Sequence, residues 1–336
     1  MDVRKWGEDH INESLKQVDA SNWVLGSWIL QRLPCPSDSA TWNDPADGSS
    51  YTVTEMTTPP LQTQPVDSPH IKLVYEAGDF SAVWSIGSNA FFKAKYMVPG
   101  ATLESTTLEY VQKQHLSCFK IPKVLFHTPS GDRSFLFVER IPGRTLDSAW
   151  TGLSESWRQR YVDAIVQACV EMSHWRGTKI GGVDGLHLDG YYLAPKNANF
   201  DCIEDSCKEI GMDCSDLVFH HTDLGPTNII VEDEPSSGET GIIDFETAGF
   251  LPRGWIRTKF RLSAGMDLTT FKPSIAWRLA VQLALGANGF SEHVDGWLEW
   301  RKTRKPYSLA TKSTVWHTNS ERTNNELVTK YSFESD

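Results

Sequence analysis

The segment Val218-Phe-His-His-Thr-Asp-Leu-Gly-Pro-Thr-Asn-Ile-Ile-Val231 sets a histidine, a carboxylate and a carboxamide in the order H-x-D-x-x-x-x-N, as His221, Asp223 and Asn228. A second carboxylate, Asp244, follows Asn228 by sixteen residues, after the apolar run Gly241-Ile-Ile243 and before Phe245-Glu246. Each residue type carries a chemistry. A carboxylate on a tight loop can orient or deprotonate a hydroxyl. A carboxylate and an amide oxygen can hold Mg²⁺, a hard cation, against polyphosphate oxygens. A loop flanked by two short strands presents all three groups on one rim. His221 is expected to be structural, packing beneath the loop and hydrogen-bonding to backbone.

Such a site also needs a cation at the phosphates and a carboxylate that orients it. Lys93 lies in the strand-like run Ala90-Phe-Phe-Lys93, and Glu104 opens the following helical pattern, eleven residues on. Lys95 is the competing lysine, since alternation along a strand puts it on the same face as Lys93.

These residues sit within a readable series of elements. Ile71–Tyr75, Ala82–Ile86 and Ala90–Met97 read as strands, with Gly78-Asp79 and Gly87-Ser88-Asn89 as hairpin turns. Glu104, Leu108 and Val111 recur at helical spacing, and two more strands follow at Lys123–His127 and Phe135–Glu139. Beyond Pro142-Gly143, residues Glu155 to Trp175 form one long helical pattern, with Trp157, Tyr161, Ile165, Ala168, Cys169 and Met172 on a stripe. Leu217–His220, Asn228–Val231 and Gly241–Asp244 are short apolar runs, and Ile275–Leu285 and Val294–Trp300 are late helices. Residues 9–32 read as a further helix, and Cys35 to Pro69, rich in Ser, Thr, Asp, Pro and Gln, as a surface extension. The expected organisation is a helix and polar extension over 1–70, a small mixed sheet with one helix over 71–143, a helical unit over 144–304, and a polar tail over 305–336. Trp255, Arg257 and Lys259 read as core and surface charge.

Composition narrows the function classes. The 336 residues carry 32 basic and 43 acidic side chains, a net charge of −11. Nucleic-acid binding needs a basic face, so it is not expected. Nowhere do eighteen consecutive apolar residues occur, and Met1-Asp-Val-Arg-Lys-Trp-Gly-Glu holds no apolar signal core. No membrane association and a cytoplasmic location are therefore expected. Cys202, Cys207 and Cys214 are spaced unlike common zinc ligands and read as reduced thiols. Residues 151–250 carry 6 basic and 18 acidic side chains, net −12. That excess suits either a cationic acceptor or a solvated loop around Glu232–Glu234.

The spacing of His221–Asn228, followed by Asp244-Phe245, is similar to a kinase catalytic loop and its metal-binding D-F-G. Together with Ile242-Ile-Asp-Phe-Glu-Thr-Ala-Gly249, Phe250-Leu-Pro-Arg-Gly-Trp255 and Val138-Glu-Arg-Ile-Pro-Gly-Arg-Thr-Leu146, the chain resembles the aminoglycoside phosphotransferase-like and choline kinase-like small-molecule kinases, above all members abundant in fungi. The resemblance spans about residues 70–300 and implies a two-lobed, protein-kinase-like α+β fold. It implies an ATP- and Mg²⁺-dependent phosphotransferase acting on a hydroxyl of a small molecule such as a secondary metabolite. In that scheme Lys93 contacts the α/β-phosphates, Glu104 orients it, and the adenine lies near Glu139–Ile141. Asn228 and Asp244 hold Mg²⁺, and Asp223 addresses the acceptor hydroxyl. The chain departs from the family at Thr222, where glycine is usual, and the β-branched side chain restricts the loop backbone. It also lacks a G-x-G-x-x-G cover and an A-P-E segment, which argues against a protein kinase. A kinase-fold binding or scaffold protein without turnover is the competing expectation.

Overall fold

A computed structural model describes residues 10–60, 62–188, 192–193 and 203–303. The polar tail from Lys305 and Cys202 lie outside the described residues. The chain divides into two compact units: residues 10–113 with 122–141, and residues 114–121 with 142–303. Both combine helices with antiparallel strands, so the fold is α+β.

The expected helix over residues 9–32 does not form. In its place are a 3-10 turn, Ile11–Ser14, and three strands, β1 (Lys16–Gln17), β2 (Asn22–Leu25) and β3 (Trp28–Leu33). The decisive period is two: Trp23 and Leu25 are buried, while Asn22 and Val24 between them are half-exposed. The Asp19 carboxylate accepts from the Ser21 N–H at 2.8 Å, fixing a turn before β2. Gly26, at φ +57°, then reverses the chain into β3, a conformation that glycine adopts without a Cβ clash. The expected surface extension is also ordered. It contributes β4 (Trp42–Asp44) and β5 (Ser49–Glu55), completing a five-stranded antiparallel sheet in the order β1-β2-β3-β5-β4. Serine and threonine hide this strand from a hydrophobicity reading, yet Ser49, Ser50, Tyr51 and Val53 are all buried.

The second sheet of this unit follows the expected order. It comprises β6 (Ile71–Ala77), β7 (Ser81–Ile86), β8 (Ala90–Tyr96), β9 (Val124–Ser130) and β10 (Arg133–Glu139), arranged β6-β7-β8-β10-β9. Helix α1 (Glu104–Gln112) lies between β8 and β9 in sequence. The two sheets share one core, in which Trp23, Leu25 and Tyr51 meet Trp84, Phe92 and Phe137. Trp42 stacks on Tyr51 at 5.0 Å between centroids and packs against Phe137 at 5.5 Å. A polar tie joins the sheets as well. Asp44, 1% exposed, accepts from the Ser88 N–H at 2.6 Å and from its Oγ at 2.5 Å. A Cβ on Gly87 would fall 2.2 Å from the Asp44 Oδ2, so the approach requires glycine there.

The second unit begins with β11 (Arg144–Thr145), α2 (Leu146–Trp150) and α3 (Glu155–Met172). The Ser154 side chain caps α3 by accepting from the Trp157 N–H, and Tyr161, Ile165, Cys169 and Met172 form its buried stripe. After α4 (Ile203–Glu209), two strand pairs build the loop-bearing scaffold. Strand β12 (Leu217–His220) pairs with β15 (Gly249–Pro252), matching Leu217 to Pro252 and His220 to Gly249. Strand β13 (Ile229–Val231) pairs with β14 (Thr240–Ile242) on one side and β11 on the other. Helices α5 (Gly254–Leu262), α6 (Ala276–Ala287) and α7 (Val294–Thr303) complete the unit. No helix among the described residues is long and apolar enough to cross a membrane.

Replacing Asp44 with Ala removes the buried carboxylate that accepts from the Ser88 N–H and hydroxyl. Hydrogen bonds to charged groups contribute about 1.5–3 kcal/mol each. Asp44→Ala should therefore lower the unfolding free energy by about 2–4 kcal/mol, read as a fall in urea midpoint at constant m-value.

Candidate functional site

The loop between β12 and β13 is pinned at both ends by strand pairing, which fixes where its side chains point. His221, fully buried, hydrogen-bonds through Nε2 to the Ile243 carbonyl at 2.9 Å, while its Nδ1 accepts from the Asp223 N–H at 3.3 Å. One nitrogen donates and the other accepts, so the ring is neutral and structural, as expected. Its face meets the Phe245 ring edge-on at 4.6 Å. Thr222 adopts φ +62°, the left-handed region that costs a β-branched residue most. Its hydroxyl donates to the Thr247 carbonyl at 3.0 Å and lies 2.7 Å from the Thr247 Oγ1, which offsets part of that strain. The Thr222 side chain thus ties the loop to the segment that carries Asp244.

Asp223 and Asn228 meet directly. The Asn228 Nδ2 donates to the Asp223 carbonyl at 3.0 Å and to its carboxylate Oδ2 at 3.1 Å. With its amide nitrogen directed at Asp223, the Asn228 side chain keeps its Oδ1 as a remaining acceptor. The Ile243 N–H donates to the Asn228 carbonyl at 3.0 Å, tying the loop to the residue before Asp244. Asp244 itself takes φ +66°, an uncommon backbone state for a non-glycine residue and one that recurs at functional positions. The Asp223 carboxyl is pushed above the usual carboxylate range, first by burial; Lys259 opposes this, Asp244 and Glu246 add to it, and the Asn228 hydrogen bond opposes it.

Lys259, expected as surface charge, is buried instead. It lies on α5, only 8% exposed, with Nζ 3.5 Å from the centroid of the Tyr192 ring. Burial lowers its pKa to about 8, and Asp223 is the opposing influence that raises it. A single sequence gives little signal for this. The clue is a lysine flanked by Thr258 and Phe260 on a helix whose other lysine-like charges, Arg257 and Arg261, sit on different faces. The acidic loop, by contrast, is structural at Glu232. Its carboxylate accepts from the Ser236 Oγ at 2.6 Å and from the N–H groups of Ser237 and Gly238 at 3.0 and 2.9 Å. These bonds, led by Ser236, hold its pKa far below the ordinary value.

In the other unit, strand β8 alternates buried and half-buried residues, and Lys93 and Lys95 share its half-buried face. The Lys93 Nζ contacts the Glu104 Oε2 at 2.8 Å, with the side chains 15% and 13% exposed. The Lys95 Nζ lies instead over the Phe80 ring, 4.9 Å from its centroid. The structure therefore separates the two lysines that strand periodicity left equivalent. Glu139 ends β10, its N–H donating to the Lys123 carbonyl at 2.8 Å, and Ile141 is the last residue of this unit.

No family model and no curated protein matches the chain. Among solved structures, it is similar to aminoglycoside phosphotransferase APH(3'')-Id of Streptomyces rimosus in complex with ADP and streptomycin, at 15% identity and TM-score 0.45, covering 66% of this chain and 89% of that one. It is similar to ADP-bound aminoglycoside phosphotransferase APH(2'')-Ib at 14% identity and TM-score 0.40, covering 79% and 87% of the two chains. A thermostable mutant of APH(4)-Ia, solved with AMP-PNP and hygromycin B, gives 13% identity and TM-score 0.42 over 73% and 95%.

The Lys93–Glu104 contact has a direct consequence. Lys93→Ala leaves a largely buried carboxylate without its partner and should cost about 2–3 kcal/mol, whereas Lys95→Ala should cost under about 1 kcal/mol. Urea denaturation of both variants, with Glu104→Gln added to each, checks this. Glu104→Gln should recover part of the loss in the Lys93→Ala background alone.

Proposed function

We propose that the chain is an ATP-dependent phosphotransferase that moves the γ-phosphoryl group to a hydroxyl of a small molecule. The observation that carries this reading is the loop Thr222–Asn228, which holds Asp223 and Asn228 in one hydrogen-bonded pair, tied through Ile243 to the strained residue Asp244. Phosphoryl transfer asks little covalent chemistry of a protein, so positioned charges of this kind suffice.

In this reading Asp223 accepts the hydrogen bond of the acceptor hydroxyl and takes its proton as the oxygen attacks phosphorus. Burial raises the proton affinity of this carboxylate, which makes it a stronger base than a solvated one. Lys93, oriented by Glu104, contacts the nucleotide phosphates, and the backbone around Glu139–Ile141 receives the adenine. Asn228 and Asp244 offer an amide and a carboxylate oxygen, the donor set a hard divalent cation takes, and would hold Mg²⁺. Mg²⁺ bound there would neutralise phosphate charge. The acceptor is a hydroxyl-bearing small molecule, with neither nucleic acid nor membrane as partner.

Incubation with MgATP and a panel of hydroxyl compounds, followed by mass spectrometry, tests the assignment. Acceptor-dependent ADP release with a product heavier by one phosphoryl group is expected; nucleotide binding without any product would favour a scaffold. In the same assay Asp223→Ala should retain nucleotide affinity and lose about 10²–10⁴ in transfer rate, the usual worth of a positioned acid–base group. Asp244→Asn should abolish the Mg²⁺-dependent part of ATP affinity, measured by titration calorimetry with and without the metal. Identical metal responses in wild type and variant would remove Asp244 from the ligand set.

A further inference from the structure

The loop that carries Asp223 continues into three buried residues, Leu224, Gly225 and Pro226, whose carbonyls need donors. Each finds one. The Gly225 carbonyl accepts from the Asn228 N–H at 2.9 Å, within the loop, and the Pro226 carbonyl accepts from the Asp147 N–H at 3.0 Å. The Leu224 carbonyl, on the residue directly after Asp223, accepts from the Trp277 Nε1 at 3.2 Å. Of these three donors, Trp277 alone reaches the loop with a side chain, and it does so from the first turn of α6. An indole has a single N–H and no acceptor, so this bond takes all of its hydrogen-bonding capacity.

The donor is itself held in place. Trp277 is fully buried, and Trp150 of α2 meets its ring edge-on with centroids 5.7 Å apart. The adjacent Arg278 pairs with Asp267 at 2.6 Å and donates to the Phe260 and Arg261 carbonyls at 3.1 and 2.8 Å, which anchors the start of α6 to the end of α5. The Asp147 carboxylate accepts from the Thr269 N–H at 2.7 Å, tying the segment before α6 to α2. On the loop side there is little slack either. A Cβ on Gly225 would lie 3.3 Å from the Met266 Cα, so the backbone runs close against that same segment. A side chain this confined has already lost its rotamer freedom, and holding the loop costs it little more.

We propose that Trp277 is a positioning residue for the transfer loop: its indole N–H fixes the Leu224–Gly225 peptide and, through it, the direction in which Asp223 presents its carboxylate to the acceptor hydroxyl. The hold on the loop rests on geometry alone, and its consequence for transfer rests on the phosphotransferase reading. Phenylalanine would fill much of the same space but would leave the Leu224 carbonyl buried without this donor, a costly state for a backbone acceptor. In that reading Asp223 addresses the acceptor and not the nucleotide. Loosening its aim therefore lowers the rate of transfer and leaves nucleotide affinity in place.

The test removes the N–H and keeps the ring. Benzothienylalanine, in which sulfur replaces the indole N–H, is installed in the full chain by amber suppression as Trp277→benzothienylalanine, with Trp150→benzothienylalanine as the control. The Trp150 Nε1 is buried with no hydrogen-bond partner among the described residues, so the same exchange of atoms there breaks no bond. The first measurement is amide hydrogen exchange, read by mass spectrometry over the peptide spanning residues 222–228. Exchange about tenfold faster than wild type is expected in the Trp277 variant, the equivalent of one lost hydrogen bond, with α3 peptides unchanged and the Trp150 variant like wild type. Equal exchange in wild type and the Trp277 variant, or an equal acceleration in both variants, would overturn the hold on the loop, whatever the enzyme's activity. The second measurement follows ADP release from MgATP with water as acceptor. The Trp277 variant should lose about tenfold in kcat with KM for MgATP unchanged, and the Trp150 variant should keep the wild-type rate. Equal kcat in wild type and the Trp277 variant, or a change confined to KM, would overturn the positioning role. A wild type without ADP release would count against the phosphotransferase reading, leaving hydrogen exchange to decide whether Trp277 holds the loop.

Discussion

The Asn228 amide spends both of its hydrogens on one residue, Asp223, holding its carbonyl and its carboxylate at once. That choice constrains the loop. With the carboxylate fixed from one side by a neutral donor, Asp223 keeps its charge available, and the Asn228 carbonyl oxygen is turned the other way. A neutral donor orients it while shifting its affinity for protons only modestly. The loop geometry, the strand pairs around it and the surrounding charges all serve to keep this small polar pair intact in a largely apolar unit.

Two residues carry the conformational strain that the arrangement needs. Thr222 and Asp244 are the non-glycine residues with positive φ among those described. They flank the site, and Thr222 is bonded to Thr247, three residues beyond Asp244. Strain of about 1–3 kcal/mol per residue persists only where neighbouring structure over-determines it. Here the neighbours are the β12–β15 and β13–β14 pairs, which hold both ends of the loop.

Most strands of the second sheet, and helices α1 and α3, were legible from apolar runs bounded by turn residues and from helical spacing. Strands β6, β7, β8 and β10 and helices α1 and α3 lie where period-two and period-3.6 readings put them. The first sheet was not legible. Trp23, Leu25, Trp28, Ile29 and Leu30 fit a loose helical stripe, and β5 is written largely in Ser and Thr, whose burial depends on partners distant in sequence. Alternation puts Lys93 and Lys95 on one face, and only the fold shows that they have different partners, Glu104 and the Phe80 ring. Lys259 escaped because a lysine's burial depends on what packs over it. Neither Tyr192 nor Trp297 is near it in the chain. His221 is the opposite case. A histidine directly before a tight loop has few roles besides supporting the backbone, and its two ring hydrogen bonds are of that kind.

The shared core of the two five-stranded sheets sets where this protein can be divided. Trp84, Phe92 and Phe137 on one sheet are covered by Trp23, Leu25 and Tyr51 on the other. A gene fragment beginning at residue 70 would encode a sheet with a bare aromatic face, and such a surface invites self-association. The heritable module is therefore longer at its amino end than the motifs suggest. Recombination or fusion at residue 70 would cut through a hydrophobic interior rather than between domains.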